Sequence, residues 1–514
     1  MIIELKNRFN RGDIIKSIIR SLFTITVFSV ATRAFGFLYK IILSRSISTQ
    51  ALGVYNIALS IFSVLATILC SGLTIALSRM VSINCSKKNT GQNNKLMYCG
   101  LIISIALSLI LTALLLLGRP ILTQSVAGND GWVLLVIMIP CLISSAVYTP
   151  FRSYLMGREM FYQSSMVEFV EQILRIIVFF IIYIVCQSVS TIYAPAIAMS
   201  ISGIASTILG IMYYKKAGGK IQHCKSQYSI IIKRSTPITL VKLLSVITMP
   251  LLTIVMPLLL VKYGYSNQQA LSELGIVTGM TLPLLSIPGT IIGSLAVAIL
   301  PSITTLYANN KQQEISRQVT SAITFTLITT AICVPIFFVF GQEICNIIFG
   351  NEMSGILLEK SCWIMIPMGV SQITTTILNS IGYEKHTFVY YLIGGIFLTI
   401  VMILLSKYLG IMSFIYALAT NYIIISLLNI YKISKQVNIK SGVIKDTMWI
   451  TLAIIATILL GSNLRNLLNK LLSPFINICI ISIIMIFSFF AILLATSTIK
   501  IADVKRIKLK KKNV

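Results

Sequence analysis

Eight charged residues lie inside the long apolar segments of this 514-residue chain, and these side chains are the best placed to do chemistry. The five cations and three acids are Arg33, Lys40, Arg175, Lys242, Lys360, Glu168, Glu171 and Glu359. A charge inside a membrane-spanning helix is costly, so it usually marks a substrate path, an ion path or a salt bridge. Arg33 and Arg175 lie deepest, about 18 Å into their predicted helices. Lys40 and Lys242 lie nearer the ends, where a lysine can snorkel to water.

The first predicted helix carries Arg33 and Lys40 on one face, because residues seven apart are separated by two helical turns. Gly36 lies between them and leaves room beside the two cations. A basic stripe of this kind suits an anion bound in a wet cavity, and the alternative is salt bridging to another helix. We favour the anion site, since this helix has no acid of its own.

The fifth predicted helix reads EFVEQILR from Glu168 to Arg175. Glu171 and Arg175 are four residues apart, so they can form an internal ion pair that lowers the cost of both charges. The alternative is a charged wall of the same cavity, with Glu168 as a proton or cation site. The four cations Arg33, Lys40, Arg175 and Lys242 are therefore candidate substrate-binding residues, and Glu168 and Glu171 are candidate coupling or ion-pair residues.

Proline interrupts the seventh and eighth predicted helices, at Pro250, Pro257, Pro283 and Pro288. Each proline removes an intrahelical hydrogen bond and kinks its helix, and in lipid the freed carbonyls need protein or water partners. Bends at these positions suit gating, and static kinks for packing are the alternative. The candidate hinge residues are these four prolines together with Gly36 and Gly72.

No catalytic signature is present: the sequence contains no phosphate-binding loop, no GxSxG and no HExxH. The ten cysteines are scattered without a CxxC, and His223 and His386 lie far apart in polar linkers. We expect no disulfide, no metal site and no cofactor. The chain is therefore not expected to be an enzyme, and any transport must use an ion gradient or run downhill.

The elements that position these charges are apolar helices. Hydrophobic residues make up 56% of the chain and charged residues only 11%, which excludes an ordinary soluble enzyme, a disordered protein and a disulfide-stapled secreted domain. A spanning helix needs about 20 apolar residues. The predicted spans are 21–43, 51–78, 96–117, 131–151, 163–185, 191–213, 236–261, 274–300, 319–340, 358–380, 387–406, 411–431, 447–463 and 475–497.

Charge placement supports an even number of spans with both ends in the cytoplasm. Alternate connections, including both termini, carry 31 Lys and Arg, whereas the opposite set carries six. The positive-inside rule puts the basic set in the cytoplasm. This topology accounts for most of the net charge of +28, so no nucleic-acid partner is needed to explain it.

Short sequence repeats six helices apart predict two parallel lobes around a central cavity. Tyr154–Glu159 resembles Asn379–Glu384, and Ile75–Ser78 resembles Val297–Leu300. The predicted fold is an all-α integral membrane protein of about 14 helices, in two pseudo-symmetric six-helix lobes plus two C-terminal helices. The predicted divisions are a basic N-terminus 1–20, an N-lobe 21–214, a basic linker 215–235, a C-lobe 236–431, two further helices 443–499 and a basic tail 500–514.

Several collinear segments resemble the stage V sporulation protein B group of the multidrug/oligosaccharidyl-lipid/polysaccharide (MOP) flippase superfamily, which is related to the lipid II flippases. The resemblance covers nearly the whole chain. It is carried by ATRAFGFLYK at 31–40, LGVY at 52–55, SGLTIALS at 71–78, RSYLMG at 152–157, EQILR at 171–175, GMTLP at 279–283, LPSI at 300–303 and QITTTILN at 372–379.

The resemblance implies alternating access and a substrate made of an undecaprenyl-pyrophosphate-linked saccharide, carried from the inner to the outer leaflet for peptidoglycan or spore cortex. It places Arg33 and Lys40 where such flippases keep cations for the pyrophosphate. It also implies the plasma membrane of a bacterium, and we expect a monomer with cell-wall synthesis enzymes as candidate partners.

The match to the family pattern is incomplete. The eighth predicted helix lacks the cavity arginine of the lipid II flippases, the region around Asn56 lacks their acid, and Thr253 lies where the sporulation group commonly has an acid. The alternatives are therefore a polysaccharide-repeat flippase, a cation-coupled multidrug exporter on the same scaffold, or a non-transporting scaffold for cell-wall enzymes. An exporter of cationic drugs would need cavity carboxylates, and only the fifth helix offers them.

Overall fold

The computed structural model describes residues 28, 30–87, 90–123, 128–185, 191–223, 227–437, 442–468 and 473–496. Every regular element in these ranges is a helix. The chain divides into two compact units, residues 1–275 and 276–514. We label the long helices α1 to α14 in chain order.

In the first unit the long helices follow one another with short connections. Their bounds are 30–46 for α1, Thr49–Ser86 for α2, Thr90–Leu117 for α3, Gly128–Gly157 for α4, Phe161–Val185 for α5, Ala194–Lys216 for α6 and Tyr228–Lys262 for α7. A short helix, Arg119–Thr123, follows α3. Since α7 begins before position 236, the basic residues Lys233 and Arg234 lie on a helix rather than in a loop.

The remaining helices complete the described chain. Their bounds are Asn267–Ala308 for α8, Gln312–Phe349 for α9, Glu352–Ser380 for α10, Glu384–Leu409 for α11, Met412–Gln436 for α12, Gly442–Leu468 for α13 and Pro474–Ala495 for α14. Local sequence sets some of the ends. The Ser48 hydroxyl accepts a hydrogen bond from the Ala51 amide and caps α2, and Gly350 ends α9 in the left-handed conformation, at φ 68°.

The same helix pairs pack together in both units, six helices apart. In the first unit α2 packs on α3 and α4, α4 packs on α3, α5 and α6, and α5 packs on α6. In the second unit α8 packs on α9 and α10, α10 packs on α9, α11 and α12, and α11 packs on α12. The repeat predicted from two short motifs is thus present as a repeated packing pattern, and the all-α, pseudo-symmetric fold is confirmed.

The two C-terminal helices are an addition to the repeated pattern. α13 and α14 pack on each other and on α9, where Val339 and Phe340 form a buried cluster with Ile481 and Met485 of α14. Arg465 of α13 stabilises the contact, because it forms an ion pair with Glu343 of α9.

Eleven described helices are long and apolar enough to cross a membrane, or twelve if the bent α8 is one span. α5 is not among them, because Glu168, Glu171 and Arg175 interrupt its apolar sequence. The start of the first predicted span lies outside the described residues. All the predicted spans therefore correspond to helices where the chain is described, but the exact number of fourteen stays a prediction, as do the predicted lobe boundaries.

Candidate functional site

The two charged helices of the first unit, α1 and α5, lie side by side. The Phe35 ring is 5.4 Å from that of Phe169, and the Tyr39 ring is 5.8 Å from that of Phe179, both edge to face. The residue numbers of the paired rings increase in the same direction along both helices, so α1 and α5 run parallel. The charges of α5 therefore lie beside the helix that carries Arg33.

Arg33 and Lys40 each have more than one-third of their surface exposed in the structure. Among the described residues, a methyl group added to Gly36, between them, would meet only the Oε1 atom of Gln172, at 4.0 Å. The room predicted beside the cations is thus present on the side that faces α5. Lys40 makes no ion pair with any residue that the structure describes.

Glu171 and Arg175 of α5 form the internal ion pair that their spacing allows, with an Nη2–Oε1 distance of 2.5 Å. The pair is half-buried: 16% of the Arg175 side chain and 22% of the Glu171 side chain are exposed. Two buried tyrosines, Tyr39 of α1 and Tyr55 of α2, lie within electrostatic reach of Arg175. Arg175 therefore lies beside a carboxylate and near the phenol groups of two neighbouring helices.

Glu168 has a partner that the sequence analysis missed. It forms an ion pair with Arg152, near the C-terminal end of α4, and both side chains are a little over one-third exposed. Arg152 lies just beyond the predicted span 131–151, and its distance of 16 positions from Glu168 gives no helical periodicity. The signal that could have found it is the tight turn between α4 and α5, which brings the ends of the two helices together.

Lys242 lies on α7, exposed, and makes no ion pair with any described residue. One turn earlier, α7 crosses α2 at Gly72 in very close contact. A methyl group on Gly72 would lie 2.1 Å from the Thr239 hydroxyl oxygen and 2.3 Å from the Ser235 carbonyl oxygen. Gly72 thus lets the two backbones meet, and its role as a hinge stays a prediction.

The prolines lie at interruptions of their helices. Pro250 follows a break at Ile247 in α7, and Pro257 is buried in the continuing helix. In α8, Pro283 follows a π-helical turn, Val277–Thr281, and Pro288 follows a bend of 50° at Ser286. Proline explains the bend, whereas nothing in the sequence analysis indicated the π-helical turn. The role of these prolines as hinges stays a prediction.

Comparison with known proteins agrees with this arrangement. The family model described as "Polysaccharide biosynthesis protein" matches residues 18–307, which is more than half of the chain. "Stage V sporulation protein B" of Bacillus subtilis (strain 168) is 23% identical over 422 residues, covering 79% of this chain and 81% of that protein.

Two solved structures are similar in fold. "Lipid II flippase MurJ, inward closed conformation" has a TM-score of 0.71 at 15% identity and covers 92% of this chain and 100% of that one. An inward-facing multidrug resistance MATE family transporter of the MOP superfamily has a TM-score of 0.61 at 13% identity and covers 84% and 98%. The chain is a multi-pass membrane protein, and it belongs to the polysaccharide biosynthesis protein family.

Proposed function

We propose that this chain carries an undecaprenyl-pyrophosphate-linked saccharide, a lipid II-like peptidoglycan precursor, from the inner to the outer leaflet of a bacterial plasma membrane. The observation that carries the proposal is which charged side chains of the first unit form ion pairs. Both acids of α5 are held by arginines, whereas Lys40 on α1 has no acid partner among the described residues. The excess charge available to a ligand is therefore positive.

A pyrophosphate suits such a surface. Its oxygens need charge-assisted hydrogen bonds from Arg or Lys, and an arginine can bind two of them at once. Arg33, Lys40, Arg175 and Lys242 are the residues we assign to this task. The polyprenyl tail can stay in lipid while the charged head crosses, so only the head needs a polar path through the protein.

The names of the relatives support the substrate class. One relative is a sporulation protein and a protein of similar fold is a lipid II flippase. From these we infer a role in cell-wall peptidoglycan or spore cortex, as a monomer whose candidate partners are cell-wall synthesis enzymes. The saccharide could equally be a polysaccharide repeat unit, since the pyrophosphate and the polyprenyl tail would be the same.

Alternating access requires helices that bend, and α7 and α8 are our candidates. Pro250 and Pro257 in α7 and the bend at Ser286 in α8, flanked by Pro283 and Pro288, weaken the backbone hydrogen bonding at defined points. We propose that these points, with Gly36 and Gly72, act as hinges. We also propose that both termini lie in the cytoplasm, and the charge asymmetry of the connections supports this orientation.

A cation-coupled multidrug exporter is the second candidate, because MATE transporters share the fold. Such an exporter needs carboxylates that can bind a cationic drug or a coupling cation. In the described chain Glu168 and Glu171, the two acids of α5, form ion pairs with Arg152 and Arg175. Their commitment to arginines favours the anionic substrate.

Complementation tests this proposal. In a bacterial strain depleted of its lipid II flippase, or lacking its cortex flippase, we expect the wild-type chain to restore growth or cortex and Arg33→Ala to fail while still inserting. Lys407→Ala, which removes an outer cation of α11 with no assigned role, is the matched control and should complement. Full complementation by Arg33→Ala would contradict the assignment of α1, and drug resistance without complementation would favour the exporter.

A further inference from the structure

The hydrogen-bonding groups of the Glu171–Arg175 ion pair are incompletely satisfied. Arg175 donates to one oxygen of Glu171 through Nη2, and its buried Nε–H has no acceptor among the described residues. A guanidinium has five N–H donors in a fork that matches two oxygens of a phosphate. Arg175 therefore keeps donor capacity that a phosphate can use.

Glu171 depends on Arg175 for its compensating charge. The groups that face the ion pair are Tyr148 and Cys141 of α4, Tyr39 of α1, Tyr55 of α2 and Glu168 one turn earlier on α5. Arg175 is the only cation among these groups, and Arg152 of α4, which lies near Tyr148, forms its ion pair with Glu168. The neighbours are otherwise hydroxyl or thiol groups, or a second carboxylate.

An ion pair of this kind can be opened by a stronger anion. A pyrophosphate carries more charge than a carboxylate and can bind the guanidinium through two oxygens, so it competes with Glu171 for Arg175. The displaced carboxylate would then lie in a half-buried site without a cation. A carboxylate that loses its partner in such a site is neutralised by a proton rather than left charged.

We propose that the Glu171–Arg175 pair links substrate binding to a proton: the pyrophosphate takes the place of Glu171 on Arg175, and Glu171 takes up one proton from the surrounding solution. The proposal rests on the proposed function, because it needs a pyrophosphate-bearing substrate. Release of the substrate reverses the exchange, so that Glu171 loses its proton and recovers the ion pair. Each substrate bound is thereby linked to one proton.

The test counts protons on binding. Purified full-length protein in detergent is titrated with geranyl pyrophosphate by calorimetry, in buffers of different ionisation enthalpy, at neutral and at mildly alkaline pH. We expect uptake of about one proton per bound molecule in the wild type, and tighter binding at the lower pH, as linkage requires. The titration of the ligand itself is common to all variants, so it cancels when they are compared.

Two variants make the test specific. Glu171→Gln should abolish the extra proton uptake and tighten binding about tenfold, which corresponds to about 1.4 kcal/mol of competition removed. Glu171→Ala gives the same comparison if the glutamine variant fails to insert. Glu359→Gln is the matched control, because this acid of α10 accepts hydrogen bonds from Gln342 rather than from a cation, and it should behave as the wild type.

The contrary outcomes separate the two proposals. Binding without proton uptake, or uptake that is equal in Glu171→Gln and the wild type, overturns proton coupling through Glu171 and leaves the substrate class standing. No binding of geranyl pyrophosphate by the wild type overturns the anionic substrate and proton coupling with it.

Discussion

Replacing Gly72 with alanine is the sharpest test of its role in close packing between α2 and α7. An alanine in place of glycine inside a helix normally stabilises it by about 1 kcal/mol. At this crossing, however, the added methyl group would lie 2.3 Å from the Ser235 carbonyl oxygen, a backbone atom that cannot rotate away, and 2.1 Å from the Thr239 hydroxyl. α2 and α7 would have to separate.

Overpacking of this kind costs about 1–3 kcal/mol after relaxation. We therefore expect Gly72→Ala to lower the Tm of the purified protein by about 2–6 °C, at roughly 2 °C per kcal/mol for a unit of this size. The assay is thermal unfolding in detergent. Gly91→Ala is the matched control, because no atom of the described residues lies within 4 Å of a methyl group at Gly91 on α3, and its Tm should be unchanged or higher. A Tm for Gly72→Ala equal to or above the wild type would refute the close-packed crossing.

Three further predictions concern the ion pairs and the topology. Arg175→Met should destabilise the protein by about 2–3 kcal/mol, which is less than for a fully buried ion pair. The double variant Arg175→Met with Glu171→Leu should recover most of this stability in thermal unfolding, since no unpaired carboxylate remains. An equal loss of stability in the single and the double variant would contradict this role of the ion pair. Glu343→Gln should weaken the contact between Arg465 of α13 and α9 by about 1–3 kcal/mol and should speed hydrogen exchange in α13. Unchanged exchange would contradict the role of this ion pair in attaching α13 to α9. A cysteine at Gly218 in an otherwise cysteine-free chain should react with an impermeant maleimide only in inside-out vesicles, and reaction in intact cells would reverse the topology.

Hydropathy predicted the helices well, because it acts on whole segments. Twenty apolar residues specify a spanning helix whatever their order, and the six-helix repeat survived in two motifs of a few residues each. The packing pattern of the two units then followed the predicted order. The bounds of α7 differed, because Lys233 and Arg234 are polar and yet helical.

The site was predictable only where its contacts are local. Glu171 and Arg175 are one turn apart on a single helix, so their spacing alone predicted the ion pair. The Glu168–Arg152 pair joins two helices across a turn, and its spacing of 16 positions does not predict an ion pair. Gly72 has the same limitation, since its close contact with Ser235 depends on how α2 and α7 cross, which no local pattern specifies.

Direct observation of lipid movement tests the central proposal. Fluorescently labelled lipid II is placed in both leaflets of proteoliposomes, and an impermeant quencher reports how fast the inner-leaflet molecules reach the outside. We predict that the wild-type chain accelerates this exchange, that Arg33→Ala does not, and that Lys407→Ala does. Exchange no faster than in protein-free liposomes, or equally fast exchange by Arg33→Ala, would contradict a flippase that holds its substrate through the cations of α1.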